Sequence, residues 1–339
     1  MIPLRNYLIA TFVLLGLLSL YIPQRYGLAY PKAIGPELDK RVRTTYIDIL
    51  NTQQPVYFLL GDSMPGDAID LTALNAGLGQ KAELASLIGT ASTIWYLIIK
   101  NNLVEADFKP KYLVIFLRDT MMTTPGYRVT GRYFEQVDEF ASPEDTLLIE
   151  RAYISQMSLL ERWAEAYLPL YGSRWTIRES LEYHLRYPIP EALLHCDQAC
   201  MEQALYTVFQ QNNLDQQFLS EAIDAADDFL YSPASLDFDS QVERSFLPEI
   251  IRLTRENDIQ LVLVRMPILR FSTPALQPRG LDTYIRKLSA YLAQNNVPFL
   301  DFDQKTIPAA YYKDAIHLNE LGREFFTREL VKALKAIAR

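Results

Sequence analysis

Apolar positions along this chain fall into one long uncharged run, several short runs of strand length and several stretches of helical spacing. The long run comes first: Tyr7–Pro23 (YLIATFVLLGLLSLYIP) holds no charged residue. Its length meets the ~17–25 residues that a spanning helix needs and exceeds the ~7–15 of a signal-peptide core. Residues 1–25 are therefore expected to form an uncleaved membrane anchor. The competing reading is a signal peptide cut after Gly27-Leu28-Ala29, a small-x-small pattern. Both export the rest of the chain. Arg5 favours an amino terminus inside, although Arg25 and Lys32 blunt that bias.

After a polar lead-in over 26–54, with a helix expected near Pro36–Leu50, short runs and helical stretches alternate. Val56–Leu60 reads as a buried strand that ends in Gly61-Asp62-Ser63, and Leu71–Leu78 as a second short apolar segment. Gln80–Asn101 places Leu84, Leu87, Ile88, Ile94, Trp95, Leu97 and Ile98 on helical spacing, and Lys111–Leu117 reads as another buried strand. Helix Gln241–Asn257, strand Gln260–Val264, helix Leu281–Asn296, strand Pro298–Phe302 and helix Asn319–Ile337 complete the pattern. Strands alternating with helices predict an α/β domain with a mostly parallel five-stranded sheet, its halves at 55–141 and 240–339. The segment 142–239 between them reads as a helical insertion, with helices over Pro143–Leu168 and Arg174–Arg186. Its Trp163 and Trp175 fall on helical spacing, which points to interhelical packing rather than sugar-stacking platforms.

With 49% apolar residues in 339, the chain can bury a full core. A formal charge of -8 and the lack of any basic run argue against a nucleic-acid partner. The two cysteines, Cys196 and Cys200, are equally readable as a small bridge, which an exported protein permits, and as two unpaired thiols; a metal site with His195 lacks an evident fourth ligand. In parallel sheets ligands bind beyond the carboxyl ends of the strands. That rule gathers Ser63, Arg118, Asp119, Arg265, Asp314 and His317 on one rim. Of the three histidines, His184 and His195 fall in the insertion, which leaves His317 as the candidate base for Ser63.

Gly61-Asp62-Ser63, Asn75-Ala76-Gly77-Leu78-Gly79 and Asp314-Ala315-Ile316-His317-Leu318-Asn319, in that order, resemble the motifs of the SGNH, or GDSL, hydrolase superfamily. The resemblance covers the α/β part and not the insertion. It implies a flavodoxin-like three-layer sandwich, with Ser63 as nucleophile, His317 as general base and Asp314 orienting it. It further implies an oxyanion hole from the amides of Ser63 and Gly79, with Gly77 as the alternative. The family's usual Gly-x-Asn-Asp block is replaced by Leu117-Arg118-Asp119-Thr120, as in divergent membrane-anchored members, and Arg118 is the candidate replacement donor. Arg118 and Arg265, with Asp119 beside them, could clamp an anionic group of a glycan; the alternative is that they form ion pairs with Asp62, Asp119 or Asp303. A metal site would consume the triad's own carboxylates, so neither metal nor cofactor is expected. Such a tethered domain resembles the anchored proteins that work beside membrane-bound O-acyltransferases on cell-envelope polysaccharides. Acyl transfer to such a polysaccharide outside the cytoplasmic membrane is the expected activity; the alternatives are an esterase for acylated glycans and an inactive polysaccharide-binding scaffold.

Overall fold

The computed structural model describes residues 4–36, 38, 41–175, 177–178, 180–181, 200, 223–271, 276–303 and 307–338, with the backbone alone at Arg132. The chain divides into two compact units, one of Met1–Glu37 and Tyr153–Ala226, the other of Leu38–Ala152 and Asp227–Arg339. Of the three dividing points, 37/38 lies in the lead-in, and 152/153 and 226/227 lie within the segment expected as the insertion.

The larger unit runs α2 (Thr45–Gln53), β1 (Tyr57–Gly61), α3 (Ser63–Ala68), α4 (Leu71–Leu78), β2 (Ala82–Ser86), α5 (Ser92–Ile98), β3 (Tyr112–Leu117), α6 (Phe134–Phe140), α9 (Leu247–Glu256), β4 (Gln260–Arg265), α10 (Leu281–Gln294), β5 (Phe299–Asp301) and α11 (Glu320–Ile337). The strands form one sheet in the order β2-β1-β3-β4-β5, and every pair is parallel. This is the expected α/β fold, in the strand order of flavodoxin-like sheets. Its three central strands read as continuous apolar runs because both faces are covered. Leu59, Leu60, Val114, Ile115, Val262, Leu263 and Val264 are fully buried. On one side α11 packs on α3 and α4, and α5 packs on α9 elsewhere in the unit. Phe326 of α11 meets Phe116 and Phe302 with ring centroids 6.4 and 4.9 Å apart.

The largest departure from the sequence pattern concerns the second strand. Leu71–Leu78 is helix α4: the Asp70 carboxylate caps it by accepting from the Ala73 amide (3.0 Å), and Gly79 ends it in the left-handed conformation. The strand is Ala82–Ser86, inside the stretch expected to be one long helix, and α5 begins only at Ser92. β2 is an edge strand that buries only Ala82 and Ala85, so it shows no run of large apolar residues. Its Leu84 instead falls into helical spacing with Leu87 and Ile88. The lead-in helix also starts later than expected, at Thr45.

The smaller unit holds α1 (Leu4–Tyr26), α7 (Leu159–Tyr167) and α8 (Pro169–Gly172). Helix α1 is long and apolar enough to cross a membrane, and Leu4, Phe12 and Leu20 on it are more than two-thirds exposed. The expected continuous helix Pro143–Leu168 is broken, and α7 restarts it at a capping box: the Ser158 hydroxyl accepts from the Glu161 amide while the Glu161 carboxylate accepts from the Ser158 amide. Trp163 and Trp175 do not pack in a core: they are 51% and 37% exposed, and Trp163 stacks on Tyr167 at 6.3 Å. Arg174–Arg186, His184, His195 and Cys196 lie wholly or partly outside the described residues, whereas Cys200 is disulfide-bonded.

Candidate active site

β1 delivers its last residues to the carboxyl rim of the sheet, where the chain must turn at once into α3. Gly61 permits this turn, since a side-chain carbon there would stand 2.7 Å from Pro65 and 3.2 Å from Phe116. Asp62 then caps α3, its buried carboxylate accepting from the Met64 amide at 2.9 Å. Burial raises the Asp62 pKa against that amide and the nearby Arg128 charge. Ser63, the first residue of α3, is half-buried with its hydroxyl on the rim.

The partner loop precedes α11. A bridge between Tyr312 and Leu318 pinches it shut, and the Lys313 amide donates to the His317 carbonyl at 2.9 Å. Inside the loop Asp314 Oδ1 accepts from the amides of Ile316 (2.9 Å) and His317 (2.8 Å), while Oδ2 stands 2.9 Å from His317 Nδ1. Burial pushes the Asp314 pKa up, but the hydrogen bonds from the His317 ring and these two amides outweigh it and hold the carboxyl below its ordinary range. An ionised carboxylate only accepts, so Nδ1 is the donor to it, and in the tautomer this selects Nε2 is the acceptor. Nε2 lies 3.0 Å from Ser63 Oγ. The structure thus joins Ser63, His317 and Asp314, the three residues that the motifs single out, in one hydrogen-bonded chain.

The other expected site residues are elsewhere. Gly77 lies within α4 against Val331, and Gly79 ends that helix with its amide donated to the Asn75 carbonyl at 2.9 Å. Because β1 and β2 run parallel with Tyr57 opposite Ala82, Gly79 precedes the sheet at its amino edge, roughly 17 Å of strand away from Ser63. Neither glycine can donate to an oxyanion there. The loop that does follow β2 contains Gly89. Leu87 binds the Gly61 carbonyl through its amide (3.0 Å), Gly89 sits at φ +80°, and the Gly89 amide has no partner among the described residues. A side-chain carbon on Gly89 would stand 2.7 Å from the Tyr133 ring, so only glycine suits the position.

Arg118, Asp119 and Arg265 are also not free to hold a ligand. All three are buried. Arg118 pairs with Asp227, which Arg270 also reaches, and donates to the Tyr231 hydroxyl at 3.2 Å. Tyr231 in turn donates to Asp119, and Arg265 donates to Asp119 at 2.6 Å while pairing with Asp301 (3.3 Å) and Asp303 (2.8 Å). The ion-pair alternative holds, with Asp227 as a partner that the sequence does not suggest. It removes Arg118 as the replacement oxyanion donor. Asp119 sits at φ +43°, a left-handed conformation that turns its carboxylate into this network.

Three carboxylates around one guanidinium leave excess negative charge. Burial, with repulsion from Asp119 and Asp301, pushes Asp303 up to about 6 in spite of Arg265. Folded Asp303 therefore keeps its proton to higher pH than the unfolded chain does, and its contribution to stability falls as pH rises from about 4 to about 6. Compared with Asp303→Asn in urea unfolding, the wild type should lose about 2–3 kcal/mol over this window; a constant difference would contradict it.

Two residues near Ser63 carry no sequence motif. Asp67, four residues on along α3, places Oδ2 3.9 Å from His317 Nε2 and pairs with Lys313 at 3.0 Å. The i, i+4 spacing from Ser63 is the one signal for it. Arg128 sits at φ +56° with its guanidinium over the rings of Tyr127 (5.0 Å) and Tyr133 (5.5 Å), and forms no ion pair with the described residues. Its contact with Tyr133, which covers Gly89, brings a positive charge to the β2 side of the rim.

No protein-family profile matches the chain, and no curated protein does. Among solved structures it is similar to a GDSL-like lipase from Bacteroides thetaiotaomicron, with 12% identity, 87% of this chain and 99% of that one covered, and a TM-score of 0.41. A presumed acylhydrolase from Bacteroides fragilis shows 12% identity, coverage of 84% and 88%, and a TM-score of 0.39. A presumed arylesterase from Agrobacterium tumefaciens shows 12% identity, coverage of 83% and 98%, and a TM-score of 0.33.

Proposed function

We propose that this chain is a membrane-anchored serine acyl-ester enzyme that transfers an O-acyl group to a polysaccharide of the cell envelope. The observation that carries the reading is the chain Ser63 Oγ to His317 Nε2 to Asp314, at 3.0 and 2.9 Å. Ser63 Oγ attacks the acyl carbonyl and its proton passes to Nε2; collapse of the tetrahedral intermediate expels the donor's alkoxide, which takes that proton. A sugar hydroxyl then loses its proton to Nε2 and attacks the acyl-serine; the Oγ–acyl bond breaks, Nε2 returns the proton to Oγ and the sugar leaves with the acyl group. Asp314 holds the ring in the required tautomer and offsets the imidazolium charge. The amides of Ser63 and Gly89 are the candidate oxyanion donors, and Arg128 takes over from Arg118 as the cation facing an anionic glycan. Tethering by α1 keeps the site close to a membrane-bound donor such as an O-acyltransferase and raises its local concentration.

The test is labelling of the full chain in detergent by a fluorescent fluorophosphonate and, in a separate unlabelled sample, incubation with an acetyl ester and an envelope polysaccharide. Wild type is expected to be labelled, Ser63→Ala to be blank, and acetyl groups to appear on the polysaccharide. Equal labelling of wild type and Ser63→Ala overturns the nucleophile. Release of free acetate alone turns the reading to a glycan esterase. A protein that binds the polysaccharide without labelling is the inactive scaffold.

A further inference from the structure

Helix α7 is amphipathic the wrong way round for a helix facing water. Leu159, Leu160, Trp163 and Tyr167 are 81, 73, 51 and 57% exposed. At 100° per residue these positions share one stripe. Ala164 on the stripe's flank and the charged Glu165 on the opposite side are buried, and the Glu165 carboxylate meets Lys32 at 3.1 Å and also pairs with Arg174. Leu168, just past the helix, and Trp175 are also partly exposed. Contiguous apolar surface of this kind marks a contact with something apolar.

The same unit shows what that is. Helix α1 ends at Tyr26, and the seven residues from Tyr26 to Lys32 are clamped onto α7, α8 and the residues after them. Tyr26 donates to the Ser180 hydroxyl (3.0 Å), and the hydroxyls of Tyr30 and Ser173 share a hydrogen bond (2.6 Å). Lys32 donates to the Gly172 carbonyl through Nζ (2.7 Å) and to the Ala166 carbonyl through its amide (3.0 Å). If α1 spans a bilayer, its carboxyl end lies at the lipid–water boundary, and these bonds fix α7 at that same depth. Leucines with tryptophan and tyrosine on one helical face are the side chains that settle into an interface, where aromatic rings sit among the headgroups.

We infer that the Leu159–Leu160–Trp163–Tyr167 face of α7 lies on the lipid surface beside the anchor, as a second point of membrane attachment. This rests on α1 being retained as a span and is independent of the chemistry at Ser63.

The test uses the full chain reconstituted in phosphatidylcholine vesicles whose acyl chains are brominated close to the headgroup, with tryptophan fluorescence as the readout. Trp95 is fully buried and reports no lipid contact. Bromine is expected to quench the wild type, and Trp163→Phe to remove most of that quenching while Trp175→Phe removes less. Leu159→Glu with Leu160→Glu should abolish the quenching at Trp163 while the protein still floats with the vesicles. The conservative Trp163→Phe variant keeps the test decisive if the double glutamate variant misfolds. Equal fluorescence in brominated and plain vesicles, or quenching as strong in Trp163→Phe as in the wild type, overturns the proposal. Coverage of the face by a second copy, or by residues 182–222, would give the first of those results.

Discussion

Replacing His317 with alanine is expected to slow acylation of Ser63 by about 10⁴–10⁶-fold, as for other serines deprived of their base. The hydroxyl at 3.0 Å from Nε2 has no other imidazole among the described residues to take its proton. Asp314→Asn should cost about 10³–10⁴-fold, because an amide in place of the carboxylate can favour the tautomer that puts the ring proton on Nε2, facing Ser63. The two losses should not add: the double variant should be no slower than His317→Ala by more than a few-fold. Stopped-flow acylation by a chromogenic ester measures all three. A His317→Ala enzyme within about tenfold of wild type would overturn the assignment.

The second large effect belongs to stability. Arg265→Met removes the one guanidinium among the described residues that pairs with Asp119, Asp301 and Asp303. Leaving buried carboxylates unpaired typically costs about 3–5 kcal/mol. Adding Asp119→Asn to Arg265→Met should restore part of that loss, since the second change relieves the repulsion created by the first. The reverse order is informative too: Asp119→Asn alone should destabilise, because it breaks the 2.6 Å pair and leaves Tyr231 without its carboxylate acceptor. Urea unfolding of the four proteins closes the double-mutant cycle. A coupling near zero would mean that the charges are solvated rather than buried.

What could be read in the residues followed from local rules with little competition. β1, β3 and β4 announce themselves because strands covered on both faces need uninterrupted apolar residues. Ser63, Asp314 and His317 were legible because a hydroxyl, an imidazole and a carboxylate carry chemistry by type, and two of them sit three residues apart in one loop. β2 was not legible: an edge strand that buries two alanines leaves no apolar alternation, and the glycines of α4 then stood in for the loop after it. Gly89 was missed for that reason. The arginines misled for a different one. Arg118 and Arg265 do lie at strand ends on the rim, but which carboxylates share that space depends on tertiary placement, and Asp227 is over a hundred positions from Arg118. Helical spacing places Trp163 on an apolar face but does not say which side of the helix the rest of the protein occupies.

The Ser63–His317 hydrogen bond closes a loop of 254 residues, and its histidine is carried on the last turn before the terminal helix. A chain leaving the ribosome therefore presents its serine long before its base exists. A product that stops short of His317 cannot assemble the pair. Until α11 has docked on α3 and α4, the Ser63 hydroxyl has no imidazole beside it, so the pair forms only once the two ends of the larger unit have come together.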